Sequence, residues 1–430
     1  MTPLIVIDTS LPAIYGVGFG VGYLILTFRQ RPTAAARYAG ALVALLFGLT
    51  IWIWTSVVLH LAANSSLAAA PAWPAALSAP LTVSFALFVA AIPCVWLGAV
   101  VHEAGHAIGA TLAGERVVLI AVGPFVWRMR GYRPRFVIAR RRGHFGFTMA
   151  LPTSAARVRE ATLQTILSGP GASALWFIAL SLAAYVLWRH ASPSDNSLTV
   201  GVALLATASS VGLTQVFTNL DLLSGRDTYS DGHLLLEVLS RTPNAEFGMM
   251  HGLILGQSFS GVRPRDIDPA IIDATMRLAQ TPDQQASAKW HAFYRALDRD
   301  DVDAARSHIA QAVALVGPAQ IGIQPNILMD GAYFEARYQG NAEAARALAA
   351  KVDAKRVLPA IRLRADAAIR YAEGDFAGAQ RSAGQALAEL QKLPRTGDVQ
   401  AVAEWLGSLI DEARERASAT GRESSRSTPS

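Results

Sequence analysis

The chain has 430 residues, room for two or three domains, and at 52% apolar and 16% charged it departs from the soluble average in the membrane direction. Its net charge of +6 arises in the N-terminal half, where residues 1–239 hold 15 Arg and 9 acidic residues against 23 basic and 23 acidic in 240–430. Excess Arg in an apolar half argues against nucleic acid as a partner and for a lipid bilayer, and a lone Cys94 excludes both an intrachain disulfide and a Cys-built zinc cage.

Five apolar runs are expected as transmembrane helices. The first, Leu11 to Phe28, lacks a basic stretch ahead of it and reads as a retained anchor; Gly16/Gly20 and Gly18/Gly22 in it suit close helix packing. The second spans Tyr38 to Ala62, and the third runs from Leu81 to Ala113, with Pro93 inside it and Gly114 as its stop. The fourth and fifth cover Leu163 to Trp188 and Leu198 to Leu220. Arg29, Arg31 and Arg37 after the first span, and ten Arg within 114–160 after the third, fall on one side, which the positive-inside rule makes cytoplasmic. Within that second Arg-dense segment Val117–Val122, Phe125–Met129, Phe136–Ala139 and Phe145–Met149 are β-prone.

The third run carries Val-His-Glu-Ala-Gly-His. On a helix, residues four apart share a face, so His102 and His106 can grip one metal ion, with Glu103 placed to take a proton from water. This is the H-E-x-x-H pattern of zinc hydrolases, which needs a third protein ligand and leaves a fourth position for water. Glu103 is the only Asp, Glu, Lys or Arg between Arg37 and Glu115, and an ionisable residue in such a run is costly unless it has a task. A second polar cluster, Asn219, Asp221, Asp227, Asp231 and His233, follows the fifth run and reaches the same membrane face as the first.

From about Ser240 the pattern becomes charged, Ala-rich and helical. Phe247 to Val262 is apolar but short, and reads as a buried or interfacial helix. Trp290–Arg306, Gly331–Arg346 and Ala365–Gln380 repeat a helix–turn–helix pattern, and their turns Asp300-Asp301, Gly340-Asn341 and Gly374-Asp375 lie 40 and 34 residues apart. The second spacing is that of tetratricopeptide-like hairpins. Residues 417–430, rich in Ser, Arg and Thr, are expected to be disordered.

His102-Glu103-Ala104-Gly105-His106, the segment Leu167-Ser168-Gly169-Pro170-Gly171-Ala172-Ser173, and Asn219 followed by Ser230-Asp231-Gly232 together resemble the site-2 protease family of intramembrane zinc metalloproteases. The likeness covers about residues 80–240. Ser173 stands where the family commonly has Asn, and twelve positions without proline separate Asn219 from Asp231. The resemblance implies one Zn²⁺ held by His102, His106 and Asp231, with Asp221 or Asp227 as alternatives for the third ligand. It also implies Glu103 as proton acceptor and Asn219 as a catalytic polar group beside the substrate. The expected molecule is an all-α membrane protein: about five transmembrane helices and a small membrane-associated β segment over residues 1–239, then a cytoplasmic tetratricopeptide-like domain over 240–416. Its expected activity is zinc endopeptidase cleavage of membrane proteins, with the C-terminal repeats open to a protein partner. The alternative is an inactive metalloprotease-like scaffold. Arg in preference to Lys suggests a bacterial plasma membrane.

Overall fold

The computed structural model describes residues 73–130, 133–138, 146–190, 196–220, 230–317 and 322–426. The first two expected spans, the Arg140–Arg142 run, Asp221, Asp227 and the residues after Arg426 lie outside them. The chain divides into two units, described separately: the described residues of Met1–Arg128, Arg135–Ala150 and Arg159–Ser240, and those of Met129–Pro134, Leu151–Val158 and Arg241–Ser430.

In the first unit α1 (Trp73–Leu112) leads into four short strands: β1 (Arg116–Val122), β2 (Phe125–Arg130), β3 (Arg133–Ile138) and β4 (Gly146–Leu151). α2 (Val158–His190), α3 (Asn196–Asn219) and α4 (Asp231–Leu239) follow. The strands form one sheet in the order β3-β2-β1-β4, so β4 is an edge. β1 and β2 are an antiparallel hairpin with Val122 opposite Phe125, turned at Gly123-Pro124. Gly123 has φ +55°, left-handed backbone that glycine adopts without strain. α1 ends in a Schellman turn: Gly114 has φ +78°, its N–H donates to the Thr111 carbonyl at 3.1 Å, and the Glu115 N–H donates to Ala110 at 2.8 Å.

The expectation of about five transmembrane helices is corrected. Among the described residues one helix, α2, is long and apolar enough to cross a membrane. Leu167, Leu175, Ile178, Leu182 and Tyr185 form an exposed apolar stripe along it. The run expected as the fifth span is α3, which turns polar groups inward. Thr207 and Ser209 are buried, Ser209 Oγ lies 2.6 Å from Ser181 Oγ on α2, and Gln215 Nε2 donates to the Val95 carbonyl on α1 at 3.3 Å. The run expected as the third span is α1, which buries His102, Glu103 and His106 in its last three turns.

From Arg241 on, the regular elements among the described residues of the second unit are helical, from α5 (Pro243–Phe259), α6 (Pro269–Leu278), α7 (Pro282–Asp298) and α8 (Val302–Ala314) to α9 (Gln324–Gln339) and α10 (Ala342–Ala349). It closes with α11 (Pro359–Ala372), α12 (Phe376–Leu390) and α13 (Gly397–Arg426). The Phe247–Val262 run is the buried helix α5, with Leu253 and Ile254 in the core. Three hairpins, α7–α8, α9–α10 and α11–α12, share one turn chemistry. Asp300, Gly340 and Gly374 have φ +59°, +65° and +82°, and each is followed by a capping side chain. Asp301, Asn341 and Asp375 accept from the N–H of Ala304, Ala344 and Gly378 at 3.0, 3.0 and 2.8 Å. The hairpins bury Phe293, Leu297, Tyr333 and Phe334 with small Ala305, Ala345 and Ala379, and α13 closes the stack with Leu406 and Leu409. α13 continues to Arg426, into the tail for which disorder is expected.

Candidate metal centre

Glycines set how closely the elements approach. A Cβ on Gly105 of α1 would lie 2.5 Å from the Ala172 Cβ and the Ser168 carbonyl of α2, and one on Gly169 would lie 2.3 Å from His106 Nε2. The Gly in H-E-A-G-H and the Gly before Pro170 therefore let α2 lie against the histidine face of α1. Pro170 has no N–H, so the Ile166 carbonyl loses its helical partner. α4 starts at the Ser230 cap, whose hydroxyl accepts from the His233 N–H at 3.2 Å. A Cβ on Gly232 would meet the Leu220 carbonyl at 2.3 Å, which is why a glycine follows Asp231.

His102, His106 and Asp231 converge. His102 Nε2 lies 3.0 Å from Asp231 Oδ2, His106 Nε2 lies 3.3 Å from Asp231 Oδ1, and the two Nε2 atoms are 3.1 Å apart. His106 donates its Nδ1–H to the Thr165 carbonyl at 2.7 Å, and His102 Nδ1 lies 3.0 Å from Ser173 Oγ. With its proton on Nδ1, His106 presents its Nε2 lone pair to Asp231 Oδ1, acceptor facing acceptor. Two acceptors at such a separation repel unless a cation lies between them. Asp231 Oδ2 is buried and has no hydrogen-bond donor assigned to it among the described residues. A tetrahedral zinc site with bonds of 2.0–2.1 Å has edges of about 3.3 Å, close to the three separations here. The donor set, two imidazoles and one carboxylate, fits Zn²⁺.

Glu103 sits beside this cluster. Its Oε2 accepts from the Thr148 hydroxyl of β4 at 2.6 Å, and a Cβ on Gly146 would lie 2.4 Å from its Oε1. β4 thus lies flat against the carboxylate, holding one oxygen and leaving the other without a donor from Thr148.

Comparison with protein-family models, with curated proteins and with solved structures gives no match.

Asn219, at the end of α3, has its amide 3.3 Å from His102 Nδ1. Asn219 lies on the ring edge away from the cluster of three ligand atoms. His233 faces Glu237 one turn along α4, at 3.6 Å. Thr148 and Thr165 carry no motif that flags them in the sequence; their spacing from the H-E-x-x-H helix acquires meaning only once β4 and α2 fold onto α1. Ser173 is visible in the sequence only as the departure from the family's Asn.

Proposed function

We propose that this chain is a zinc endopeptidase of the site-2 protease type, cutting polypeptide segments within or beside a membrane. One observation carries the reading: three ligand atoms, from His102, His106 and Asp231, meet beside a buried glutamate. Zinc held there supplies Lewis acidity for activating water and the scissile carbonyl. The Thr165 carbonyl fixes the His106 imidazole in the tautomer that leaves Nε2 free, and Ser173 and Asn219 hold the far edge of His102. Glu103, with Oε2 held by Thr148, takes the proton of the attacking water on Oε1 and passes it to the leaving amine. A substrate helix has its carbonyls paired and must become extended before attack. β4, the edge strand of the sheet among the described residues, offers backbone pairing to such an extended segment, next to the base. The helical hairpins of the second unit form a tetratricopeptide-like surface for a protein partner.

Glu103→Gln in the full chain tests this. Cleavage of a membrane-protein substrate is expected to cease while bound zinc stays at the wild-type level. Complete rescue of a deletion phenotype by Glu103→Gln overturns the enzyme and leaves the scaffold.

A further inference from the structure

One buried carboxylate takes no part in that chemistry. Glu115 lies just past α1, turned back by the Schellman turn at Gly114, and is buried against α2. Its Oε2 accepts from the Thr165 hydroxyl at 2.6 Å. Thr165 is the residue whose carbonyl accepts the His106 Nδ1–H at 2.7 Å. A buried carboxylate is costly unless its hydrogen bonds matter.

Thr165 needs holding for two reasons. A helical Thr hydroxyl otherwise bonds the carbonyl four residues back, a habit that bends helices; Ser168, one turn along, does this to Gln164 at 2.6 Å. Pro170 also leaves the next carbonyl, that of Ile166, without its helical N–H, so this turn of α2 lacks one of its own restraints. Glu115 draws the Thr165 hydroxyl away from the backbone, and the Thr165 carbonyl stays aimed at His106.

We infer that Glu115 is a positioning residue for the metal centre, bracing His106 through Thr165 and so raising the affinity for zinc. The inference rests on the metal reading above. A carboxylate that merely pinned the end of α1 to α2 would affect the stability of the fold and leave metal affinity alone.

The test uses the full chain in detergent micelles, with zinc affinity read by competition against a chromophoric chelator. The visible spectrum of the Co²⁺-substituted protein and the melting temperature of the metal-free protein complete it. Glu115→Ala and Thr165→Val are expected to bind zinc about 10–100-fold more weakly, the range for lost outer partners of a ligand. Both should shift the Co²⁺ spectrum. Glu115→Gln, which keeps an acceptor for the Thr165 hydroxyl, is expected to fall between them and wild type. Should Glu115→Ala not fold, Thr165→Val decides, since it removes only the hydroxyl and keeps the carbonyl. Affinities within about twofold of wild type and an unchanged Co²⁺ spectrum overturn the inference while leaving the metal reading intact. Absence of zinc binding by the wild type overturns both.

Discussion

Asp231 faces two imidazoles at once: Oδ2 stands 3.0 Å from His102 Nε2 and Oδ1 3.3 Å from His106 Nε2. α1 and the start of α4, far apart in the chain, are thereby joined at one point. Without a cation, His106 Nε2 and the carboxylate face each other as two acceptors; with one, each is satisfied. Asp231→Ala is therefore expected to lose zinc to a chelator that leaves wild type loaded, a larger effect than the roughly 10–100-fold of an outer partner. Metal analysis of the two purified proteins checks this. Stoichiometric zinc in Asp231→Ala removes Asp231 from the ligand set.

Thr148 joins the sheet to the chemistry. Its hydroxyl donates to Glu103 Oε2 at 2.6 Å and also lies 3.1 Å from the Glu103 carbonyl, so a strand edge and the base move together. Thr148→Val keeps the shape and the β-propensity while losing the donor. The expected result is a fall in kcat of about 10–100-fold, the scale of a misplaced catalytic group, with KM and zinc content unchanged. Thr148→Ser should restore most of the rate. A fall confined to KM would make Thr148 a substrate contact instead.

The H-E-x-x-H pair was legible because helical periodicity alone puts His102 and His106 on one face. The hairpin turns were legible for a similar reason: Asp300-Asp301, Gly340-Asn341 and Gly374-Asp375 announce a left-handed residue followed by a cap. The span count was not legible. An apolar run does not say whether its Ser, Thr and Gln face lipid or protein, and in α3 Ser209 and Gln215 bond to α2 and α1. The partners that orient the site were hidden too, because Thr148, Thr165 and Glu115 acquire their roles from elements brought together by folding. Arg364 is a further case. On an amphipathic, Ala-rich helix it reads as a surface charge, yet it lies fully buried in the second unit.

Arg364 pairs with Asp330, which also accepts from Trp290 Nε1 at 2.7 Å, and the guanidinium lies 4.6 Å from the Tyr333 ring centre. The buried carboxylate and rings hold the guanidinium charged, raising its pKa above the ordinary value against the cost of burial. Taking away one partner strands the other without water. Asp330→Ala is expected to cost about 3–5 kcal/mol, whereas replacing both residues by apolar ones of similar volume, Asp330→Leu with Arg364→Met, should be close to neutral. Urea unfolding of the second unit in the full chain, followed by Trp fluorescence, separates the two results. Equal losses in the single and double variants would show that packing, not the stranded charge, sets the cost.

His251 of α5 and His291 of α7 face each other with ring centres 5.0 Å apart, between Phe247 and Trp290. Ser287 Oγ lies 3.2 Å from His251 Nε2, and His291 Nε2 is buried with no hydrogen-bond partner among the described residues. Burial lowers the His251 pKa to about 4 and drives that of His291 well below its ordinary value. Both rings are neutral in the folded unit, while the unfolded chain takes up protons near pH 6.5. Stability is therefore complete above pH 6.5 and drains away as the pH falls toward 4, because the unfolded state then binds more protons. His251 contributes a loss on the order of 2–3 kcal/mol at pH 4.5. Denaturant unfolding of the full chain at pH 7 and pH 4.5 measures it, and His251→Phe is expected to flatten the dependence by about that amount. The same slope in wild type and His251→Phe would assign the acid sensitivity to other groups.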